Sequence, residues 1–108
     1  MTLSELKQLL TGVLPDKVTY RAWPVNEAPQ LPYICYFATG SDNFAADNIV
    51  YHSATPVRVE LYEETKDLTL EGQLEAALTA AGIYWDREET KIDDERCYLI
   101  IYEVEING

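Results

Sequence analysis

A single histidine, His52, stands in the string Val50-Tyr51-His52-Ser53-Ala54. An imidazole works as a general base or metal ligand when another side chain is spaced to orient it, and no second His, nearby Cys or recognisable motif does so here. His52 therefore reads as a strand residue at a solvent edge. A hydrolytic site drawn from Asp47, His52 and the carboxylates between residues 86 and 95 would lack anything to position a nucleophile or a metal. Cys35 and Cys97 lie inside the apolar runs PYICYF and RCYLII, without the clustered spacing of zinc sites or disulfide scaffolds. They are expected to be buried thiols, able to oxidise only if neighbouring strands bring them together. Asp42, Asn43, Asp47 and Asn48 could offer oxygens to a cation, but these residue types at this density are first of all turn formers. The run Asp93-Asp94-Glu95 lacks the alternating oxygens and internal Gly of a calcium loop. No Gly-rich phosphate loop or nucleophile elbow occurs. The expectation is a protein with no catalytic residue, cofactor or metal: not an enzyme.

Charge narrows the function further. The 108 residues carry 8 Lys and Arg against 19 Asp and Glu, a formal charge of −11. Nucleic-acid modules grip phosphates with a basic face, so specific nucleic-acid binding is not expected. Residues 1–56 hold 5 acids and 3 bases, residues 57–108 hold 14 acids and 5 bases, so −9 of the charge sits in the second half. There it coincides with predicted strands and a helix, which makes it a structured acidic face and not a detachable tail. At 47% apolar residues and 11% aromatics, 8 of the 12 being Tyr, the chain can bury one core and is read as one α+β domain over residues 1–108. No 18-residue apolar stretch and no signal-peptide pattern is readable, so no membrane role and a cytosolic site of synthesis are expected.

The elements that must carry these residues follow from periodicity. Thr2 and Glu5 have capping-box spacing, and Leu3, Leu6, Leu10 and Val13 recur at helical intervals, which predicts a helix from about residue 3 to Gly12. VTYRAW over 18–23 reads as a short strand, and Pro24, Pro29 and Pro32 mark an extended connector. The apolar run Tyr33 to Ala38 suits a strand covered on both faces. Residues 40–48 have turn composition, with Phe44 as the one bulky apolar residue, and predict a long hairpin loop before IVYHSA. VRVELYEE alternates, with Val57, Val59 and Leu61 on one face and Arg58, Glu60 and Tyr62 on the other. From Asp67 the period becomes helical: Leu70, Leu74, Ala77, Leu78 and Ala81 share a stripe, Glu71 and Glu75 oppose it, and Gly82 stands at the left-handed cap position. Gly72 costs such a helix about 1 kcal/mol relative to Ala, which raises the question of a close contact there. IYWDREE and RCYLIIYEVEI flank a polar turn and close the fold as a hairpin.

The last run would extend about 36 Å at ~3.3 Å per residue, long for one strand. Tyr98, Ile100, Tyr102, Val104 and Ile106 stay apolar to the end, while the alternate positions change from Cys97, Leu99 and Ile101 to Glu103 and Glu105. Such a strand is either bulged or projects past its own sheet, where another subunit's strand could add. Candidate interface residues are therefore Asp42, Asn43, Phe44, Asp47 and Asn48 in the loop, with Tyr102, Val104 and Ile106 in the strand. Candidate acidic surface or lumen residues are Glu60, Glu63, Glu64, Glu103 and Glu105.

Several strings, Pro32-Tyr33, Asp42-Asn43, Ala46-Asp47-Asn48, Val59-Glu60-Leu61-Tyr62, Lys66-Asp67, Gly82-Ile83-Tyr84, Tyr98 and Tyr102-Glu103, together with the order of elements, resemble a family of phage proteins. These are the small tail-completion, tail-terminator and head-tail joining proteins of siphophages and prophages of Gram-positive hosts. The resemblance spans Leu3 to Ile106 and rests on structural patterns, not catalytic signatures. It implies an α-β-β-β-α-β-β layout, with a mostly antiparallel sheet of five to six strands and two helices on one face. It further implies a ring of six copies at the head-tail junction or tail end, whose partners are itself, the tail tube and the head connector. The location implied is the virion, and the host bacterial cytoplasm during assembly. The competing reading is a small acidic inhibitor or immunity-type protein that masks a basic partner, for which the −9 of residues 57–108 is the motive.

Overall fold

The computed structural model describes residues 1–40, 42–46, 49–93 and 96–107, with the backbone alone for 42–46 and 49–53. Eight elements follow one another: α1 (Leu3–Val13), β1 (Val18–Tyr20), β2 (Tyr33–Ala38), β3 (Asp42–Ala46), β4 (Ile49–Glu63), α2 (Leu68–Ala80), β5 (Trp85–Ile92) and β6 (Cys97–Asn107). The expected α+β class and order are observed, with β3 added inside the segment expected to be a loop. The sheet runs β1-β2-β4-β6-β5, with β3 attached to β4, and every pairing is antiparallel except the parallel β1–β2.

Local chemistry sets the helix ends. The Glu5 amide donates to Thr2 Oγ1 at 3.1 Å and the Thr2 amide donates to Glu5 Oε1 at 3.0 Å, completing the capping box. Asp67 caps α2 by accepting from the Leu70 amide at 3.0 Å. At the other end Gly82 takes φ +75°, and the Ile83 amide reaches the Leu78 carbonyl at 2.9 Å, so a residue tolerant of left-handed backbone is needed there. Gly72 answers differently: a Cβ at this position would meet nothing within 4 Å. No packing contact demands the glycine, so Gly72→Ala should stabilise the protein by about 1 kcal/mol in urea unfolding, with no change in fold.

One layer of helices covers one face of the sheet. Leu6 and Leu10 of α1 and Leu70, Leu74 and Leu78 of α2 pack on Ile34, Tyr36, Val57, Val59, Leu61, Ile100, Tyr102, Val104 and Ile106. The odd positions of β4 and the even positions of β2 and β6 thus form the core, as alternation dictates. On β2 the burial extends to both faces, Ile34, Cys35 and Tyr36 all being enclosed. VTYRAW forms a strand only as far as Tyr20, because Arg21 turns to φ +66° with its amide on the Tyr36 carbonyl at 2.8 Å. The connector is not uniformly extended, since the Glu27 amide closes a turn on Pro24 and Asn26 has φ +65°.

Two expectations about the long strands are corrected. IVYHSA and VRVELYEE are halves of one 15-residue strand, β4, that runs straight through Pro56. Pro56 is tolerated because its carbonyl points toward Thr39, whose amide it accepts at 2.9 Å, so its missing donor falls in the gap between β2 and β3. The last strand neither bulges nor projects. All of β6 from Tyr98 to Asn107 is paired to β4 from Glu63 to Ala54. The length that looked excessive in isolation is matched by a still longer neighbour. Cys35 and Cys97 do not meet, since β4 separates their strands and the row of Cys35 crosses β6 at Ile101, four residues from Cys97. They form no disulfide with each other.

Candidate assembly surfaces

What projects is a two-stranded arm. Residues 49–54 of β4 pair with β3 through Asp42↔Ala54, Asn43↔Ser53, Phe44↔His52, Ala45↔Val50 and Ala46↔Ile49, with Tyr51 as the extra residue of a bulge. β6 ends opposite Ala54. From residue 49 to 53 the second edge of β4 therefore has no strand beside it among the described residues, and its backbone donors and acceptors are open to another chain. Asp42, Asn43 and Phe44 lie on this arm, as does His52. Asp47 and Asn48 fall outside the described residues.

Three residues expected at an interface do not offer their side chains to one. Tyr102 is fully enclosed, and Val104 and Ile106 are buried, all three facing the helix layer. They build the subunit's own core, because the even face of β6 is the one the helices cover.

The face away from the helices collects the acids. Registering β4, β6 and β5 puts Arg58, Glu103 and Asp86 in one cross-strand row and Glu60, Ile101 and Glu88 in the next, with Glu105 beyond. Arg58 Nε bonds Glu103 Oε1 at 2.8 Å, both side chains being about two-fifths exposed. Tyr62 donates to Glu60 Oε1 and Tyr84 donates to Asp86 Oδ1, each at 3.2 Å. Asp86 and Glu103 are like charges directly opposite one another, an arrangement that costs stability. Of the expected acidic set, Glu60, Glu103 and Glu105 are on this face, and Glu64 is exposed just past the end of β4. Asp86 and Glu88 were not anticipated; the alternation in WDREETKI carried the signal, but only the β5–β6 register shows which acids it aligns. Toward β2 the face is closed by aromatic rings, Tyr33 against Tyr62 at 4.9 Å and Trp23 edge-on to Tyr33 at 6.0 Å. Burial, aided by Glu60, pushes the nearby Cys35 thiol up to about 11, so it stays protonated and unreactive at neutral pH.

Glu63 is the clear departure from the acidic-surface expectation, being 1% exposed. It is an odd position of β4 and points under α2, where Glu71, expected on the outer side of that helix, is itself 2% exposed. Lys66 Nζ bonds Glu71 Oε2 at 2.6 Å and Glu89 Oε1 at 2.5 Å. The Arg87 guanidinium contacts Glu71, Glu89 at 3.2 Å and Glu75 at 3.4 Å. Tyr102 donates its hydroxyl to Glu75 Oε2 at 2.7 Å. Both cations serve Glu71, and neither oxygen of Glu63 has a donor. Burial, followed by the facing Glu71 carboxylate, raises Glu63 to about 8, so at neutral pH it carries a proton that it can donate to Glu71. Burial would raise Glu71 as well, but hydrogen bonds from Lys66 and Glu63 and the charges of Lys66 and Arg87 outweigh it and hold Glu71 below the usual range. The two carboxyl groups thus share one proton on opposite terms. Among the described residues no three His, Cys, Asp or Glu side chains converge as a metal-binding group.

No protein-family model matches the chain, and no curated protein matches it. Among solved structures, its fold is similar to that of a chain in the virion of a native gene transfer agent particle, with a TM-score of 0.60 and 9% identity over 92% of this chain and 84% of that one. The likeness is one of fold.

Proposed function

We propose that the protein is a non-enzymatic structural component of a phage or phage-like virion that closes into a ring, of six copies, at the head-tail junction or the tail end. The observation that carries this reading is the two-stranded arm of β3 and the first part of β4. A ring needs a heterologous contact, in which one surface of each copy engages a different surface of the next. An arm with an open strand edge is suited to such a contact, because strand addition satisfies its backbone groups. The fold likeness to a virion chain supports the same reading. In this reading the tail tube and head connector of a Gram-positive host's phage flank the ring, which is assembled in the host cytoplasm and carried in the virion. Six copies bring 6 × (−11) = −66 formal charges. With the face of Glu60, Glu103 and Glu105 turned to the lumen, passing DNA is repelled and does not adhere.

Electron microscopy of the purified protein, alone and mixed with purified tails, should show rings. Replacing residues 43–53 by Asn-Gly should abolish them while the circular dichroism spectrum and cooperative melting are retained. A wild type that forms no ring in either setting, or rings that survive loss of the arm, would overturn the reading. An acidic inhibitor would use the same open face, but would have no need of the arm; recovery of only virion proteins from host lysate excludes it.

A further inference from the structure

Charge is distributed unequally between the two ends of the sheet. Residues 1–38 hold 3 acids and 3 bases and are neutral, so the remaining residues carry the whole −11. Among the described residues Arg58, Lys66, Arg87 and Lys91 are in ion pairs, whereas Lys7 on α1, Arg96 before β6, and Lys17 and Arg21, which flank β1, have none. β1 is one terminal strand of the sheet and β5 is the other, each paired on a single side. The Arg21 guanidinium rests over the Phe37 ring, 5.5 Å from its centroid, and Phe37 shares the cross-strand row of Arg58, on the open face. At the far end Asp86 and Glu88 stand on that same face, exposed and outside any ion pair. The sheet is therefore basic at one edge and acidic at the other, on one face. Exposed aromatics accompany both edges, Tyr20 as the last residue of β1 and Tyr84 before β5.

We propose that the β1 edge of one copy seats against the β5 edge of the next, Lys17 and Arg21 facing Asp86 and Glu88, and that this contact sets the head-to-tail order of the ring. The proposal rests on the ring reading and adds a second contact between neighbours to the one made by the arm. Copies placed side by side in the same orientation bring the unpaired cations of one to the unpaired carboxylates of its neighbour. Reversed copies would set acid against acid, which long-range charge disfavours. Both strand edges have open backbone groups with which to extend the pairing.

Two charge-reversal variants test it: Lys17→Glu with Arg21→Glu, and Asp86→Lys with Glu88→Lys. Each makes both ends of a copy alike in sign. Alone, each should lose self-association by about tenfold or more in equilibrium sedimentation. Mixed in equal amounts they should recover it, with the two variants alternating around the ring, and high salt should weaken wild type and mixture together. Circular dichroism checks that each variant is folded, and rescue by mixing cannot arise from two misfolded chains. Wild-type rings with no loss in either variant, or no rescue in the mixture, overturn this contact and leave the ring standing. A wild type that never self-associates overturns both.

Discussion

At pH 9 the Glu63→Gln variant should be more stable than the wild type by on the order of 4 kcal/mol, and at pH 4 the two should coincide. The sign follows from where the proton is held. Glu63 titrates near 8 in the folded protein, raised by burial and by Glu71, against an ordinary carboxylate value of 4.5 in the unfolded chain. Between those values the folded state binds the proton and the unfolded state does not, so stability falls as pH rises from about 4.5 to about 8 and is level beyond. Glutamine mimics the protonated acid, donates to Glu71 and never ionises, which removes this loss. Lys66 and Asp67 from the loop, Glu71 from α2, Arg87 and Glu89 from β5 and Tyr98 from β6 surround the site, and the variant leaves them all in place. Glu71 contributes in the other direction and in another window: its depressed value adds stability that is lost as pH falls below 4.5. Urea unfolding at pH 4, 5, 7 and 9 measures both. Parallel curves for wild type and variant would dismiss the shared proton.

Removing the cation on the other side of Glu71 should have the opposite effect. Arg87→Met keeps most of the side-chain bulk but withdraws the guanidinium from Glu71, Glu75 and Glu89. Glu71 is then left enclosed with Lys66 as its one cation. Breaking a buried pair by deleting one partner typically costs about 3–5 kcal/mol, and the part-exposure of Arg87 places the expected loss near the lower end, at about 3 kcal/mol. Glu71→Gln added to Arg87→Met should return more than half of it, because the stranded charge goes with it. If the double variant is as unstable as the single one, the loss came from packing of the arginine stem and the charge argument fails. Neither experiment touches the arm or the open acidic face, so assembly should be unchanged wherever the subunit stays folded.

The helices, their caps and most strands were legible because their signals are local. Thr2 with Glu5, Asp67 before α2, Gly82 after it, and the alternation of Val57, Val59 and Leu61 each depend on neighbours a few residues away. The sequence likewise determined that acids dominate the second half. Pairing decided the rest. The length of β6 was visible, but whether it projected depended on its partner, and β4 turned out long enough to match it. That moved the projecting edge to residues 49–53 and turned Tyr102, Val104 and Ile106 into core. Glu63 and Glu71 look like surface acids in their own elements. Their burial is fixed by β4 passing beneath α2 and by Lys66 and Arg87 arriving from a loop and from β5, residues between 3 and 24 positions away in sequence. Periodicity places a side chain on a face of its own helix or strand, whereas its ionisation and accessibility are set by what other elements bring against that face.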